Sequence, residues 1–109
     1  MGLVRGDLTV MALAGDYGKP RPVVILQSDL FLAVESVIVV PLSSDLRSIP
    51  SLFRLRIEPS AGNGLRLPSD MMVDKLSAVA RTHGGEKIGH LEPEEIAELT
   101  AAVALFLGF

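Results

Sequence analysis

A small β-barrel, plugged or flanked by one C-terminal helix, is the fold this sequence predicts. Three observations lead there. Short runs of β-branched and apolar residues recur between turns built from Gly, Pro, Asn and Ser. Six or seven such runs occur, and the final stretch then switches to a helical apolar period. At 109 residues, 49% hydrophobic and 21% charged, the chain is long enough for one compact core, so residues 1–109 form a single domain.

Residues 7–13 open the barrel, with Leu8, Val10 and Ala12 expected on one face and Thr9 and Met11 on the other. A loop dense in turn formers follows, Gly15-Asp16-Tyr17-Gly18-Lys19-Pro20-Arg21-Pro22, and it leads into an apolar run at residues 22–28. That run has the length and β-branched content of a buried strand. Residues 36–42 form a third strand, apolar on both faces and therefore central. It ends at Pro41 and enters the hydroxyl-rich turn Ser43-Ser44-Asp45. Residues 52–58 alternate cleanly, with Phe53, Leu55 and Ile57 facing inward and Arg54 and Arg56 forming a basic ladder toward solvent. The turn at residues 59–64 precedes two short strands, 70–74 and 77–81, broken near Lys75-Leu76. Gly84-Gly85 marks a turn before residues 86–89. The helix begins at Pro93, gains Glu94 and Glu95 at its positive end, and closes at Gly108. Ile96, Leu99, Val103 and Leu107 form its apolar stripe, widened by Ala102 and Phe106 down to the last turn.

Composition excludes several functions. There is no cysteine, so disulfides and thiolate metal sites are ruled out, in keeping with a reducing cytoplasm. Two histidines, His83 and His90, lack partners at ligand spacing and read as turn and surface residues; no metal or cofactor is expected. Residues 1–7 lack the apolar stretch of a signal peptide, and the run from Ala101 to Leu107 is too short to span a bilayer. A net charge of −3 argues against a surface that grips nucleic acid all round. The charge is uneven, however. Residues 45–66 hold Arg47, Arg54, Arg56 and Arg66 against Asp45 and Glu58, while residues 86–98 hold Lys87 against five glutamates. A polyanion would meet one face only.

Arg21 is the residue of most chemical interest. Prolines on both sides stiffen its backbone at the rim of a sheet, which suits it to meet a phosphate or carboxylate. Pairing with a nearby acid would serve as well.

In these segments the chain resembles the MazF/PemK family of toxin–antitoxin endoribonucleases. The matching stretches are Arg5-Gly6-Asp7, Arg21-Pro22-Val23-Val24-Ile25, Gln27-Ser28-Asp29, Val39-Val40-Pro41-Leu42-Ser43-Ser44, Asn63-Gly64-Leu65, Val73-Asp74-Lys75 and Ile88-Gly89-His90-Leu91. The resemblance implies a small SH3-like β-barrel of the MazF/CcdB type, working as a homodimer with a cognate antitoxin protein as partner. It implies metal-independent cleavage of single-stranded RNA, in which the 2′-OH attacks the adjacent phosphate and leaves 2′,3′-cyclic phosphate and 5′-OH ends. On it, Arg21 clamps the scissile phosphate, Ser43 hydrogen-bonds it, and Asp16 acts as base or positions Arg21. An Asx-type turn is the alternative for Asp16.

The Arg-x-Asp pair of the plasmid-borne branch is here Met72-Val73-Asp74, so Asp74 keeps a supporting role or pairs with Lys75 or Arg81. Tyr17, Lys19, Ser44, Arg54 and Arg56 are the substrate-binding candidates, Tyr17 by stacking on a base and the two strand arginines by lining an RNA groove. A solvated strand face is the alternative for Arg54 and Arg56. The ending Leu105-Phe106-Leu107-Gly108-Phe109 is similar to that of CcdB, a gyrase poison of the same fold, and keeps DNA gyrase open as an alternative target. A catalytically inactive binding barrel is the third reading.

Overall fold

A computed structural model describes residues 2–13, 19–46 and 51–109. Seven strands curl into an antiparallel half-barrel: β1 (Asp7–Ala12), β2 (Pro20–Ile25), β3 (Ser36–Ser43), β4 (Arg54–Ile57), β5 (Ser69–Met72), β6 (Ser77–Ala80) and β7 (Gly89–His90). One helix, α1 (Pro93–Leu107), completes the fold. The sheet order is β4-β5-β3-β2-β1-β7, with β6 also paired to β3.

β3 is the hub. Its first half, Ser36 to Val39, pairs with β6, and its last residues, Leu42 and Ser43, pair with β5. Between those partners the chain makes a 3₁₀ turn at Val73–Lys75, so one discontinuous strand lines the edge of β3 while the sheet bends. The break expected near Lys75-Leu76 lies at this turn.

The apolar runs of β2 and β3 are explained by burial on both faces. Side chains alternate along a strand. Val24, Val40 and Leu42 point into a cluster with Leu8, Ile57, Met71, Leu91, Leu99 and Ala102, beneath the helix. Val23, Ile25, Val37 and Val39 point the other way, into a second cluster with Leu3, Met11 and Leu13. Each such side chain contributes about 1.5–3 kcal/mol when fully buried, so a carboxylate at Val24 or Val40 would leave an uncompensated charge in the core. β1 divides its faces as the alternation predicts, and both faces are buried over part of its length. Leu8 belongs to one cluster and Met11 to the other, both almost fully buried, while Val10 is half-buried and Ala12 exposed. Thr9 is buried too, and its hydroxyl donates to the Glu86 carbonyl at 2.8 Å.

The helix ends are set locally. Glu92 caps the N-terminus, with its backbone N–H donating to the Glu95 carboxylate at 2.8 Å, and Pro93 fills the first helical position. Gly108 adopts φ 87° and lets Phe109 N–H reach the Ala104 carbonyl at 2.8 Å. The apolar stripe does not stay buried to the end. Leu99 and Ala102 are inside and Ile96 and Val103 partly so, whereas Leu105, Phe106 and Leu107 remain about half exposed and Phe109 almost wholly so. Phe106 meets Phe53 with ring centroids 5.9 Å apart, because the helix end reaches past the sheet edge that carries β4. Arg5 ties the N-terminal segment to both layers, its guanidinium donating to the Leu26 carbonyl and the Thr100 hydroxyl. Among the described residues no helix is long and apolar enough to cross a membrane.

Candidate active-site groove

Three segments, the start of β2, the end of β3 and the chain between β4 and β5, enclose a groove of about 590 Å³. The first wall is the start of β2. Pro20 and Pro22 stand opposite Ala12 and Val10 of β1, in a part of β2 that overhangs its paired stretch with β3, which begins only at Val23. Prolines are tolerated there because no ladder donor is needed on that side. Arg21 lies between them, opposite Met11, and its Nη1 donates to the Leu42 carbonyl at 3.5 Å. The guanidinium is thus drawn over the end of β3.

Ser43 and Ser44 at that end form the second wall. The Ser43 hydroxyl oxygen accepts the Asp45 N–H at 3.1 Å, closing a small turn. A hydroxyl has one proton and two lone pairs, so this bond fixes the oxygen while leaving its proton to donate into the groove.

The third wall is the turn at residues 59–64 together with the segment from Leu65 to Ser69. Asn63 is buried and organises the turn. Its side-chain oxygen accepts from Ser60 N–H and Leu65 N–H, each at 3.0 Å, and its amide donates to the Glu58 carbonyl at 2.8 Å. Gly64 takes φ 70°, with Ile88 so close that a Cβ would lie 2.1 Å from its carbonyl oxygen. Leu65, Arg66, Leu67, Ser69 and Ile88 line this side. Lys19, Arg21 and Arg66 therefore face a groove whose lining, among the described residues, holds a single carboxylate, Asp45. Such a surface favours an anion.

Of the residues singled out from sequence, Arg21, Ser43, Lys19 and Ser44 converge here. Arg54, Arg56 and Asp74 do not. The expected basic ladder is neutralised across strands. Arg54 donates to Asp74 through Nε at 2.6 Å and Nη2 at 2.9 Å, and Arg56 Nε donates to Asp70 at 2.7 Å. The hydrogen bonds from Arg54 hold the Asp74 carboxyl below its ordinary range, and those same bonds raise the arginine. Asp74 thus pairs with Arg54, rather than with Lys75 or Arg81 as expected. Arg81 instead donates to the Val34 and Phe31 carbonyls. Asp16 and Tyr17 lie outside the described residues. His83 and His90 are exposed. Among the described residues, no group of three or more His, Cys, Asp or Glu is placed to hold a metal ion.

The sequence singles out neither Arg66 for the groove nor Asp70 as the partner of Arg56. Arg66 was visible as the first charge after the Asn63-Gly64 turn, but nothing local tied it to Arg21. Asp70 stands opposite Ser43 in the β3–β5 register and is almost wholly buried, which its sequence neighbours Ser69 and Met71 do not reveal.

Residues 4–107 match the family described as PemK-like, MazF-like toxin of type II toxin–antitoxin systems. A protein of Mycolicibacterium smegmatis named as a probable endoribonuclease MazF is 41% identical over 105 residues, covering 95% of each chain. Among solved structures, the Mycobacterium tuberculosis toxin MazF-mt6 superposes with a TM-score of 0.78 at 23% identity, covering 94% of this chain and 97% of that one. A mycobacterial endoribonuclease in complex with its cognate antitoxin gives 0.80 at 19% identity, covering 99% and 97%. At such identities the structural likeness shows the fold alone, a curled antiparallel sheet with one C-terminal helix.

Proposed function

The chain belongs to the PemK-like, MazF-like toxins of type II toxin–antitoxin systems, and from that premise we propose that it cuts single-stranded RNA without a metal and so arrests growth. The observation that carries this reading is the convergence of Arg21 and Ser43 on a groove rich in cations, with the Arg21 guanidinium donating to the carbonyl of Leu42, the residue before Ser43. In the reaction, the 2′-oxygen attacks phosphorus and gives up its proton to a base. The P–O5′ bond breaks, and the departing 5′-oxygen takes a proton. The products are a 2′,3′-cyclic phosphate and a 5′-OH. Charge builds on the non-bridging oxygens as the phosphorus becomes five-coordinate, and the Arg21 guanidinium and Ser43 hydroxyl are the groups to stabilise it. Asp16 is the proposed base, or the residue that orients Arg21. Lys19 and Ser44 contact the backbone on either side. Asp74, engaged with Arg54 away from the groove, supports the sheet rather than the chemistry.

The same proposal includes a homodimer and a cognate antitoxin, whose flexible acidic segment would cover this groove. Incubation with mixed-sequence RNA in excess EDTA, followed by end-group analysis, tests the activity. Discrete fragments with cyclic-phosphate and 5′-OH ends, lost in Arg21→Ala, are expected. Intact RNA would overturn the reading. One observation favours a second reading, poisoning of DNA gyrase: the tail residues Leu105, Phe106, Leu107 and Phe109 stay exposed and available to a partner. Inhibition of supercoiling by protein that leaves RNA intact would establish it.

A further inference from the structure

We propose that Arg66 is a substrate-positioning residue that holds a backbone phosphate flanking the scissile one, an inference that rests on the ribonuclease reading above. The cations divide by what they touch. Arg5 is spent on the Leu26 carbonyl and Thr100, Arg81 on the Val34 and Phe31 carbonyls, Arg54 on Asp74, Arg56 on Asp70 and Lys87 on Asp7. Lys75 lies beside Asp74, outside the groove. Among the described residues, Lys19 and Arg66 make no hydrogen bond or ion pair, and both line the groove. Positive charge left over by the fold is therefore concentrated where Arg21 and Ser43 sit.

Of the two, Arg66 has the better-defined seat. Its backbone follows Gly64 and the buried Leu65. The Asn63 bonds to Leu65 N–H and the Glu58 carbonyl fix the turn, and His90 N–H donates to the Gly62 carbonyl at 2.8 Å, tying it to β7. The Arg66 side chain is exposed on this fixed base, so ordering it costs side-chain entropy alone. It belongs to the turn wall, whereas Arg21 and Ser43 belong to the sheet walls. A strand of RNA lying through the groove would pass between guanidinium groups on two sides, each able to take a phosphate by two parallel N–H···O bonds. Leu67 and Ile88, partly exposed beside Arg66, offer apolar surface to the sugar and base between those phosphates.

The probe is a short single-stranded RNA containing one cleavage site, made 2′-deoxy at the scissile nucleotide so that it binds without being cut. Binding is read by fluorescence anisotropy across a salt series. Arg66→Ala is expected to weaken binding about tenfold at low salt, the loss of one charge-assisted contact. It should also flatten the slope of log Kd against log salt by about 0.7, the share of one single-strand phosphate. Arg66→Lys should recover the salt slope. With cleavable RNA the loss should fall on KM rather than kcat. Lys75→Ala, which removes an equal charge outside the groove, should change neither.

An Arg66→Ala protein with wild-type affinity and slope would overturn the proposal. So would a variant that loses affinity for poly-glutamate but not for RNA, since that result assigns Arg66 to an acidic protein segment. Failure of the ribonuclease reading itself shows separately, as wild-type protein that neither binds nor cuts the RNA, and the proposal falls with it.

Discussion

Arg54 and Arg66 are the same residue type in one basic stretch of chain, and the fold treats them in opposite ways. Arg54, on β4 opposite Met72, finds Asp74 in the 3₁₀ turn that follows β5 and makes two parallel hydrogen bonds to it. Both side chains are about three-quarters buried. Arg66 comes after a glycine turn, meets no carboxylate among the described residues, and stands exposed over the groove. Positive charge counted along the sequence is thus not the same as positive charge offered to a ligand. Cross-strand register decides how much of it is already spent.

The largest effect that can test this contrast is at Arg21. Replacing it with Ala should lower cleavage by about 10²–10³-fold, the usual cost of removing one group aimed at developing charge; single-turnover RNA cleavage measures it. Next is the scaffold of the turn wall. Gly64→Ala places a Cβ 2.1 Å from the Ile88 carbonyl oxygen at φ 70°. It should cost about 3 kcal/mol, the upper end for a strained non-glycine position, read by urea denaturation together with lost RNA affinity. Ser43→Ala should slow cleavage about tenfold by removing one hydroxyl donor, with RNA binding in the salt series changed far less.

On the neutralised side of the contrast, Asp74→Asn should leave cleavage within about twofold and lower stability at neutral pH by about 1 kcal/mol. The sign with pH is set by the depressed carboxyl. Its folded pKa lies below the unfolded one, so the stabilisation is complete above the ordinary carboxylate range. It disappears as pH falls through the depressed value. Denaturation of wild type and Asp74→Asn should therefore converge in acid. The smallest effect belongs to the tail. Deleting Gly108 and Phe109 should change RNA cleavage by less than about twofold, since Phe109 is almost wholly exposed and outside the groove. The same deletion would abolish a gyrase poison.

Short-range stereochemistry is what the sequence by itself determined. The apolar runs at β2 and β3 are readable as runs from composition alone, and the break at Lys75-Leu76, Pro93 at the helix start and Gly108 at its end arise from interactions within a few residues. Arg21 between two prolines was legible for the same reason. Family likeness, carried by strings such as Val-Pro-Leu-Ser-Ser, is the source of the roles proposed for Arg21 and Ser43. Only the tertiary structure decided that β1 has two buried faces and that β3 divides its edge between β5 and β6. It also paired Arg54 with Asp74, and brought Arg66 into the same groove as Arg21. Those facts depend on partners 20 or more positions away, as with Arg54 and Asp74, or Thr9 and Glu86 at a separation of 77. Local periodicity fixes which way a side chain points relative to its neighbours on one strand. It carries no information on which distant strand lies opposite, and that pairing determines whether a charge is neutralised or left facing a ligand.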